Sequence, residues 1–303
     1  MAGQVGFIGI GIMGLPMAKN LVTKAGKKLV VWNRSQERIA LLQGELADEA
    51  AQVEAAESPE AVVKACDVTF VMLTTPSVVR SVLFDMPGAA IHGVSSGKMI
   101  IDCSTITEED SRASYDAVKT AGGSFLEAPV SGSKVPAETG ALIFLAGGDK
   151  DVFDEVVKQK MFDVMGKKSI FLGGIGAGAR MKLAVNMVMG SMISALAEGI
   201  VLCESNELDP AEFLEVLDLG AMANPMFKMK GPNMVQSKRQ YTVNFPLEHQ
   251  QKDMRFALQM GDSSATPMPV AAAANELFKA ARAAGYDRED MSAVIEALRK
   301  RNE

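Results

Sequence analysis

Residues 4–23 read QVGFIGIGIMGLPMAKNLVT. The apolar run from Gln4 to Ile10 has the pattern of a strand buried on both faces. Gly9-Ile10-Gly11-Ile12-Met13-Gly14 then forms a GxGxxG turn, and Leu15 to Thr23 reads as a helix. The motif alone is weak evidence. Between a strand and a helix it is strong, because each glycine then has a purpose. One makes the tight turn, one lets the backbone approach a pyrophosphate, and one lets helix pack on strand. The helix start adds unpaired N–H groups and a positive dipole end for the phosphates. The stretch therefore predicts an α/β dinucleotide-binding fold, with Gly9, Ile10, Gly11, Ile12, Met13 and Gly14 as cofactor contacts.

The second strand, Lys28 to Trp32, ends at Asn33-Arg34-Ser35. Position 33 lies nineteen residues beyond Gly14, where an acidic residue would hydrogen-bond the ribose of NAD. Asn33 stands there instead. With no carboxylate to repel a 2′-phosphate and Arg34 able to pair with one, the segment predicts NADPH as cofactor, held by Asn33, Arg34 and Ser35; against this, an arginine after a strand can simply face solvent. Ser58-Pro59 signals a helix start. Asp67 to Leu73 and Lys98 to Asp102 are further strands. Ligands of open parallel sheets bind beyond strand C-termini, which makes Leu73, Thr74, Pro76, Ser104 and Thr105 candidates by position. Thr107 and Asp110 form a capping box. The strand Ser124 to Ala128 delivers Pro129-Val130-Ser131-Gly132-Ser133-Lys134, a small-residue loop able to offer N–H groups and hydroxyls to a carboxylate. Ala141 to Ala146 and Ser169 to Leu172 close the sheet.

Gly173-Gly174-Ile175-Gly176-Ala177-Gly178 then leads into a long apolar helix over 179–205. Lys182 and Asn186 are four residues apart and share one face, in a stripe that continues through Gly190, Ser194 and Glu198. A helix apolar on its other faces is expected to be buried. Burial lowers an ammonium pKa, from about 10.4 for a free lysine toward about 7–8, the range of a useful proton donor. The rival reading has the Lys182 head snorkelling to solvent. Strand patterns stop here and helical ones continue at 211–219, 248–261, 269–284 and 288–300. Asp209-Pro210-Ala211-Glu212 signals a cap, whereas Asn224-Pro225-Met226-Phe227-Lys228 reads as a connection. Lys252 and Asp253 read as ordinary helix-surface charges. The expected architecture is an N-terminal Rossmann-type doubly wound α/β sheet, residues 1–174, followed by an all-helical domain, residues 175–303.

Of the 303 residues, 22% are charged and 48% hydrophobic, as in ordinary globular proteins. A net charge of −6 argues against nucleic acid or an anionic membrane as partner. The basic pairs Lys27-Lys28, Lys167-Lys168 and Lys238-Arg239 are isolated corners. Cys66, Cys103 and Cys203 are widely spaced, and with His92 and His249 make no familiar metal framework. Asn186 and Glu198 interrupt the long apolar run before it reaches a membrane-spanning length. The start of the chain reads as a strand and carries no secretory signal. These features set the expectation of a cytoplasmic protein without a metal. An apolar helical domain adds that of a homo-oligomer, dimer or tetramer.

Taken together, the segments Gly6 to Gly14, Val31 to Ser35, Glu127 to Lys134, Gly173 to Asn186, Leu219 to Lys228 and His249 to Arg255 resemble the β-hydroxyacid dehydrogenases, the family of 3-hydroxyisobutyrate dehydrogenases, over essentially the whole chain. Ser133-Lys134 and Asn224 to Lys228 resemble the plant-type glyoxylate/succinic semialdehyde reductases in particular; Ser133 stands where many of the dehydrogenases have a second glycine. The resemblance implies that Lys182 is the catalytic acid and Asn186 its helper. It places Ser131, Gly132, Thr105, Phe245 and Asp253 around substrate or nicotinamide, and Lys252 on the cofactor. The implied reaction is NADPH-dependent reduction of a small aldehyde bearing a carboxylate. The alternatives are an NAD-dependent 3-hydroxyisobutyrate-type dehydrogenase and a non-catalytic dinucleotide-binding scaffold; the retained Lys182 counts against the scaffold.

Overall fold

The structure, a computed structural model, describes residues 4–236 and 241–299. The basic pair Lys238-Arg239 lies outside the described residues. The chain divides into two compact units, Met1–Lys182 and Leu183–Glu303.

The first unit begins β1 (Val5–Ile8), α1 (Gly14–Thr23), β2 (Leu29–Trp32), α2 (Gln36–Leu46), β3 (Val53–Ala55), α3 (Pro59–Ala65), β4 (Val68–Val71), α4 (Pro76–Arg80), β5 (Met99–Asp102), α5 (Glu108–Thr120) and β6 (Ser124–Glu127). These six strands are parallel in the order β3-β2-β1-β4-β5-β6, the dinucleotide-binding order, whose switch point lies between β1 and β4. The signals for helix starts hold: the side chains of Ser58 and Thr107 accept hydrogen bonds from the N–H groups of Ala61 and Asp110. Adjacent strand residues feed opposite layers, as the two-residue repeat of a strand requires. Phe7 and Phe70 stack at 6.1 Å in one core, while Ile8, Trp32 and Val71 belong to the other.

Beyond β6 the sheet departs from the parallel arrangement expected. β7 (Val130–Ser131), α6 (Lys134–Thr139), β8 (Leu142–Gly148), α7 (Lys150–Lys158), α8 (Met161–Met165) and β9 (Gly166–Phe171) follow. β8 runs antiparallel to β6 and β7, and β9 runs parallel to β8. Phe144 and Phe162, with ring centroids 4.3 Å apart, close the core beneath this extension.

The next helix, α9 (Ala177–Ser205), begins in the first unit and ends in the second, where α10 (Pro210–Leu219), α11 (Pro225–Val235), α12 (Leu247–Ser263) and α13 (Pro269–Ala283) follow. Asp209 caps α10 through the N–H of Ala211. Two expectations need correction. Asn224 to Lys228 is no connection: Asn224 accepts from the Phe227 N–H and caps α11, with Pro225 in the first turn. The helix expected over 288–300 is a short 3-10 helix, Met291–Ala297. Its approach is extended because Leu247 N–H bonds Glu289 O and Met291 N–H bonds Phe245 O, and those bonds hold residues 289–290 out of a helix.

By length and apolarity α9 is the one helix among the described residues that could cross a membrane; its Ile193, Leu196, Ala197 and Ile200 lie in the core of the helical unit. The expected burial of its other faces does not hold within a single chain: Met181, Val185, Val188 and Leu202 are exposed. Glu198, at the end of the polar stripe, is exposed as well.

Candidate active site

At the carboxyl ends of β1 and β4 the first unit opens a cleft of about 610 Å³. The three glycines of the turn differ in surroundings, each according to what it does. A Cβ on Gly9 would stand 2.3 Å from Met72 O, and its φ of +99° is left-handed. One on Gly14 would stand 1.9 Å from Gly9 O, so helix and strand meet at backbone distance. Nothing lies within 4 Å of a Cβ on Gly11. Two glycines thus serve the fold, and the middle one leaves an open cradle. No side chain caps α1, so its first-turn N–H groups suit an anion. These features fit a dinucleotide pyrophosphate.

Gly9, Gly11, Ile12, Asn33, Arg34, Ser35, Leu73 and Thr74 line the cleft. Ile10 and Gly14 are buried behind it, Met13 is half-buried, and Pro76 opens α4 beneath the cap of Thr75. Asn33 also works for the fold: its Oδ1 accepts from Ile10 N–H at 2.9 Å, and its Nδ2 donates to Ser35 O at 2.9 Å. Arg34 is exposed on the lining. Sequence reasoning missed Arg38, which also lines the cleft and donates from Nε to Ile10 O at 2.9 Å; it stands in the first turn of α2, directly after the Asn33-Arg34-Ser35 segment.

Beside the cleft, Ser104 and Thr105 follow β5. Asp102 Oδ1 accepts from the Ser104 N–H at 2.9 Å, and Ser104 Oγ accepts from the Leu73 N–H at 3.0 Å. Burial pushes the Asp102 carboxyl up to about 6, against the pull of Ser104. Thr105 is half-buried. Ser131 ends β7, paired with Ile143, and Gly132 turns there with φ +124°; a Cβ would stand 2.9 Å from Leu142 Cδ2.

Lys182 is 6% exposed and Asn186 2%, which settles the choice between a buried and a snorkelling lysine in favour of burial. The start of their helix is held by Glu127, another residue missed from sequence. Its Oε1 accepts from Gly178 N–H at 2.7 Å and Ala179 N–H at 3.3 Å, and Ser111 Oγ donates to Oε2. Burial raises the Glu127 carboxyl above its ordinary value, while these donors pull it back down.

In the second unit, Asn186 Nδ2 donates to Asp253 Oδ2 at 2.6 Å, and Gln250 Nε2 donates to Asn186 O at 2.8 Å. Asp253 Oδ1 lies 3.0 Å from Lys252 Nζ, an ion pair between two buried side chains. Lys252 and Asp253 are therefore not the surface charges expected; both are buried. Phe245 is half-buried, and its N–H donates to Asp290 Oδ2 at 3.1 Å. Asp290 is in turn paired with Lys230, both fully buried.

The structure thus brings together the cleft residues around Gly11, and separately joins Asn186, Lys252 and Asp253. Residues 4–174 match the family model described as the NAD binding domain of 6-phosphogluconate dehydrogenase. Residues 176–298 match the one described as NAD-binding of NADP-dependent 3-hydroxyisobutyrate dehydrogenase. The chain belongs to the 3-hydroxyisobutyrate dehydrogenase family. It is accordingly an oxidoreductase that uses a nicotinamide dinucleotide, with a helical module of the NADP-dependent type.

Among relatives, glyoxylate/succinic semialdehyde reductase 1 of Arabidopsis thaliana is 51% identical over 98% of each chain. The chloroplastic reductase 2 of the same plant is 48% identical, over 98% of this chain and 79% of its own length. The solved 3-hydroxyisobutyrate dehydrogenase of Salmonella typhimurium superposes with a TM-score of 0.86 at 26% identity, covering 97% of this chain and 99% of that one.

Proposed function

We propose that this member of the family reduces small aldehydes that carry a carboxylate, glyoxylate to glycolate and succinic semialdehyde to 4-hydroxybutyrate, with NADPH. The observation that carries the substrate class is the 51% identity, over 98% of both chains, to a glyoxylate/succinic semialdehyde reductase. Gly9 to Gly14 hold the pyrophosphate, with Gly11 as the point of close approach. Asn33, Arg34 and Ser35 receive the adenosine ribose, and the Arg34 guanidinium pairs with the 2′-phosphate. Leu73, Thr74, Pro76 and Thr105 complete the cofactor contacts in this reading.

NADPH supplies the hydride when bound. Ser131 and Gly132 grip the substrate carboxylate through hydroxyl and N–H groups. Lys182 stabilises the charge growing on the carbonyl oxygen and gives it a proton, so the aldehyde becomes an alcohol. Asn186, held by Asp253, orients the reacting groups without adding charge. By the family pattern Phe245 and Asp253 contact substrate and Lys252 contacts cofactor.

The same reading extends to assembly and location. Leu202, Leu208, Val216, Leu219 and Met222 are exposed apolar residues of the helical unit, and that number of large apolar side chains left in water supports a homo-oligomer. Free, buried thiols at Cys66, Cys103 and Cys203 suit the cytoplasm. The test is loss of reduced-nicotinamide absorbance with each aldehyde, using NADPH and NADH in parallel. NADPH-selective oxidation with either aldehyde is expected. Turnover only in the reverse direction, with NAD and a 3-hydroxyacid, would overturn the assignment, and silence in both directions would leave a dinucleotide-binding scaffold.

A further inference from the structure

Glu127 is the last residue of β6 and 2% exposed, an expensive place for a carboxylate unless its oxygens are satisfied. They are satisfied by one helix end and one hydroxyl. Oε1 takes the N–H groups of Gly178 and Ala179, the second and third residues of α9, and Oε2 takes the hydroxyl of Ser111. The first N–H groups of a helix have no partner within it, and negative charge is favoured at that end. A residue 51 positions earlier in the chain therefore acts as the cap of α9.

The neighbouring glycines make this approach possible. A Cβ on Gly178 would stand 2.2 Å from Leu145 O and 3.2 Å from Glu127 Oε1. One on Gly147 would stand 2.5 Å from Glu127 Oε1 and 2.9 Å from Gly174 O. The helix end is pressed on the backbone of β8 with the carboxylate wedged at the junction.

Lys182 lies four residues beyond Gly178 on the same face, about 6 Å along a rigid helix. In the other direction, Ser131 lies four residues beyond Glu127. The link between them is stiff: Pro129 has a fixed φ, its carbonyl accepts from Leu145 N–H at 2.9 Å, and Val130 pairs with Phe144. The other tie at this helix end, Arg180 to Glu108, is part-exposed, and such pairs contribute little.

We propose that Glu127 is the positioning residue of the reaction: by clamping the N-terminus of α9 to the end of β6, it sets where the Lys182 ammonium stands relative to the Ser131-Gly132 loop. This rests on the reading of Lys182 as proton donor. Glu127 itself touches neither substrate nor cofactor in this scheme.

The experiment compares the full-length protein with Glu127→Gln, which removes the charge at constant shape, and Ser111→Ala, which leaves the carboxylate and removes one donor. Hydrogen–deuterium exchange over residues 173–186 should quicken about tenfold in Glu127→Gln as the capped amides exchange a charged acceptor for a weaker, neutral one, a loss near 1.4 kcal/mol. NADPH affinity should stay within about twofold, because the Gly9–Gly14 turn is built separately. The kcat with glyoxylate should fall about 10- to 100-fold, the cost of misplacing a reacting group by about 1 Å, and its solvent deuterium isotope effect should rise as proton donation becomes limiting. Ser111→Ala should fall between Glu127→Gln and the parent on each readout.

An unchanged kcat in Glu127→Gln would overturn the proposal. So would a fall in kcat matched by an equal fall in the fraction of protein able to bind NADPH, which would make Glu127 a fold residue only. If the parent protein turned over neither aldehyde, the functional reading would fail instead, and the exchange data would still decide whether the clamp exists.

Discussion

Lys230→Met removes the cation from a pair in which neither side chain has any exposed surface. Lys230 Nζ lies 2.8 and 2.7 Å from the two oxygens of Asp290. The same oxygens accept from Asn244 N–H at 2.9 Å, Phe245 N–H at 3.1 Å, Ser292 N–H at 3.1 Å and Ser292 Oγ at 2.8 Å. Stranding one buried charge costs about 3–5 kcal/mol. The four neutral donors that remain place the loss near the lower end, about 3 kcal/mol. For a unit of this size that is a fall in Tm of about 12 °C. The assay is thermal and urea unfolding followed by circular dichroism. The double variant Lys230→Met/Asp290→Asn should be more stable than Lys230→Met, because it removes the orphaned charge. A loss below about 1 kcal/mol, or a double variant that loses the sum of both single changes, would refute the account of Asp290 as a charge held in place by Lys230.

Lys182→Ala should lower kcat by about 10²- to 10⁴-fold with NADPH binding retained in a fluorescence titration; near-normal turnover would remove Lys182 as the proton donor. Arg34→Asp should shift the NADPH-to-NADH ratio of kcat/KM by about tenfold or more toward NADH, and unchanged selectivity would sink the reading of that loop. Gly11→Ala should leave unfolding within about 0.5 kcal/mol and weaken NADPH binding, since its Cβ meets no protein atom; a stability loss as large as that of Gly9→Ala would contradict the open cradle. Asp102 has its carboxyl pushed to about 6 in the fold, above the unfolded value of about 3.9. Its contribution to stability is therefore complete below the unfolded pKa and lost as pH rises through about 6. The Tm of Asp102→Asn relative to the parent should accordingly increase between pH 5 and pH 8, and a flat difference would argue against an ionised, buried Asp102.

What could be read from sequence was what the chain specifies locally. The GxGxxG turn and the caps at Ser58, Thr107 and Asp209 all depend on residues within a few positions of each other. The direction of β8 was not legible, because an apolar run does not say which way it pairs. α11 was hidden by Gly231 and Pro232, which break its helical pattern although Asn224 and Pro225 announce its start. The burial of Asp253 depends on Asn186, 67 residues away in the chain. Glu127 looked like the end of a strand because the amides it satisfies arrive 51 residues later. The site therefore came from sequence as a set of loops and the Lys182–Asn186 helix face, with Phe245, Lys252 and Asp253 added only through the resemblance, and without the carboxylates of Asp102, Glu127 and Asp290.

Those charges share one arrangement. Asp102 accepts the N–H of Ser104 beneath the Ser104-Thr105 loop. Glu127 accepts the first N–H groups of the helix that carries Lys182. Asp290 accepts the N–H groups of Asn244 and Phe245. In each case a buried carboxylate collects backbone donors that no ladder satisfies, those of loops at Asp102 and Asp290 and those of a helix start at Glu127. Neutral acceptors would satisfy the same donors, but hydrogen bonds to a charged acceptor are roughly twice as strong, and their loss leaves both partners stranded in low dielectric. That combination gives an irregular segment the positional stiffness of a strand or helix. The consequence for substitution is asymmetric: removing a loop residue such as Ser131 should reduce activity alone, whereas removing the carboxylate behind a loop should alter position, stability and pH response together.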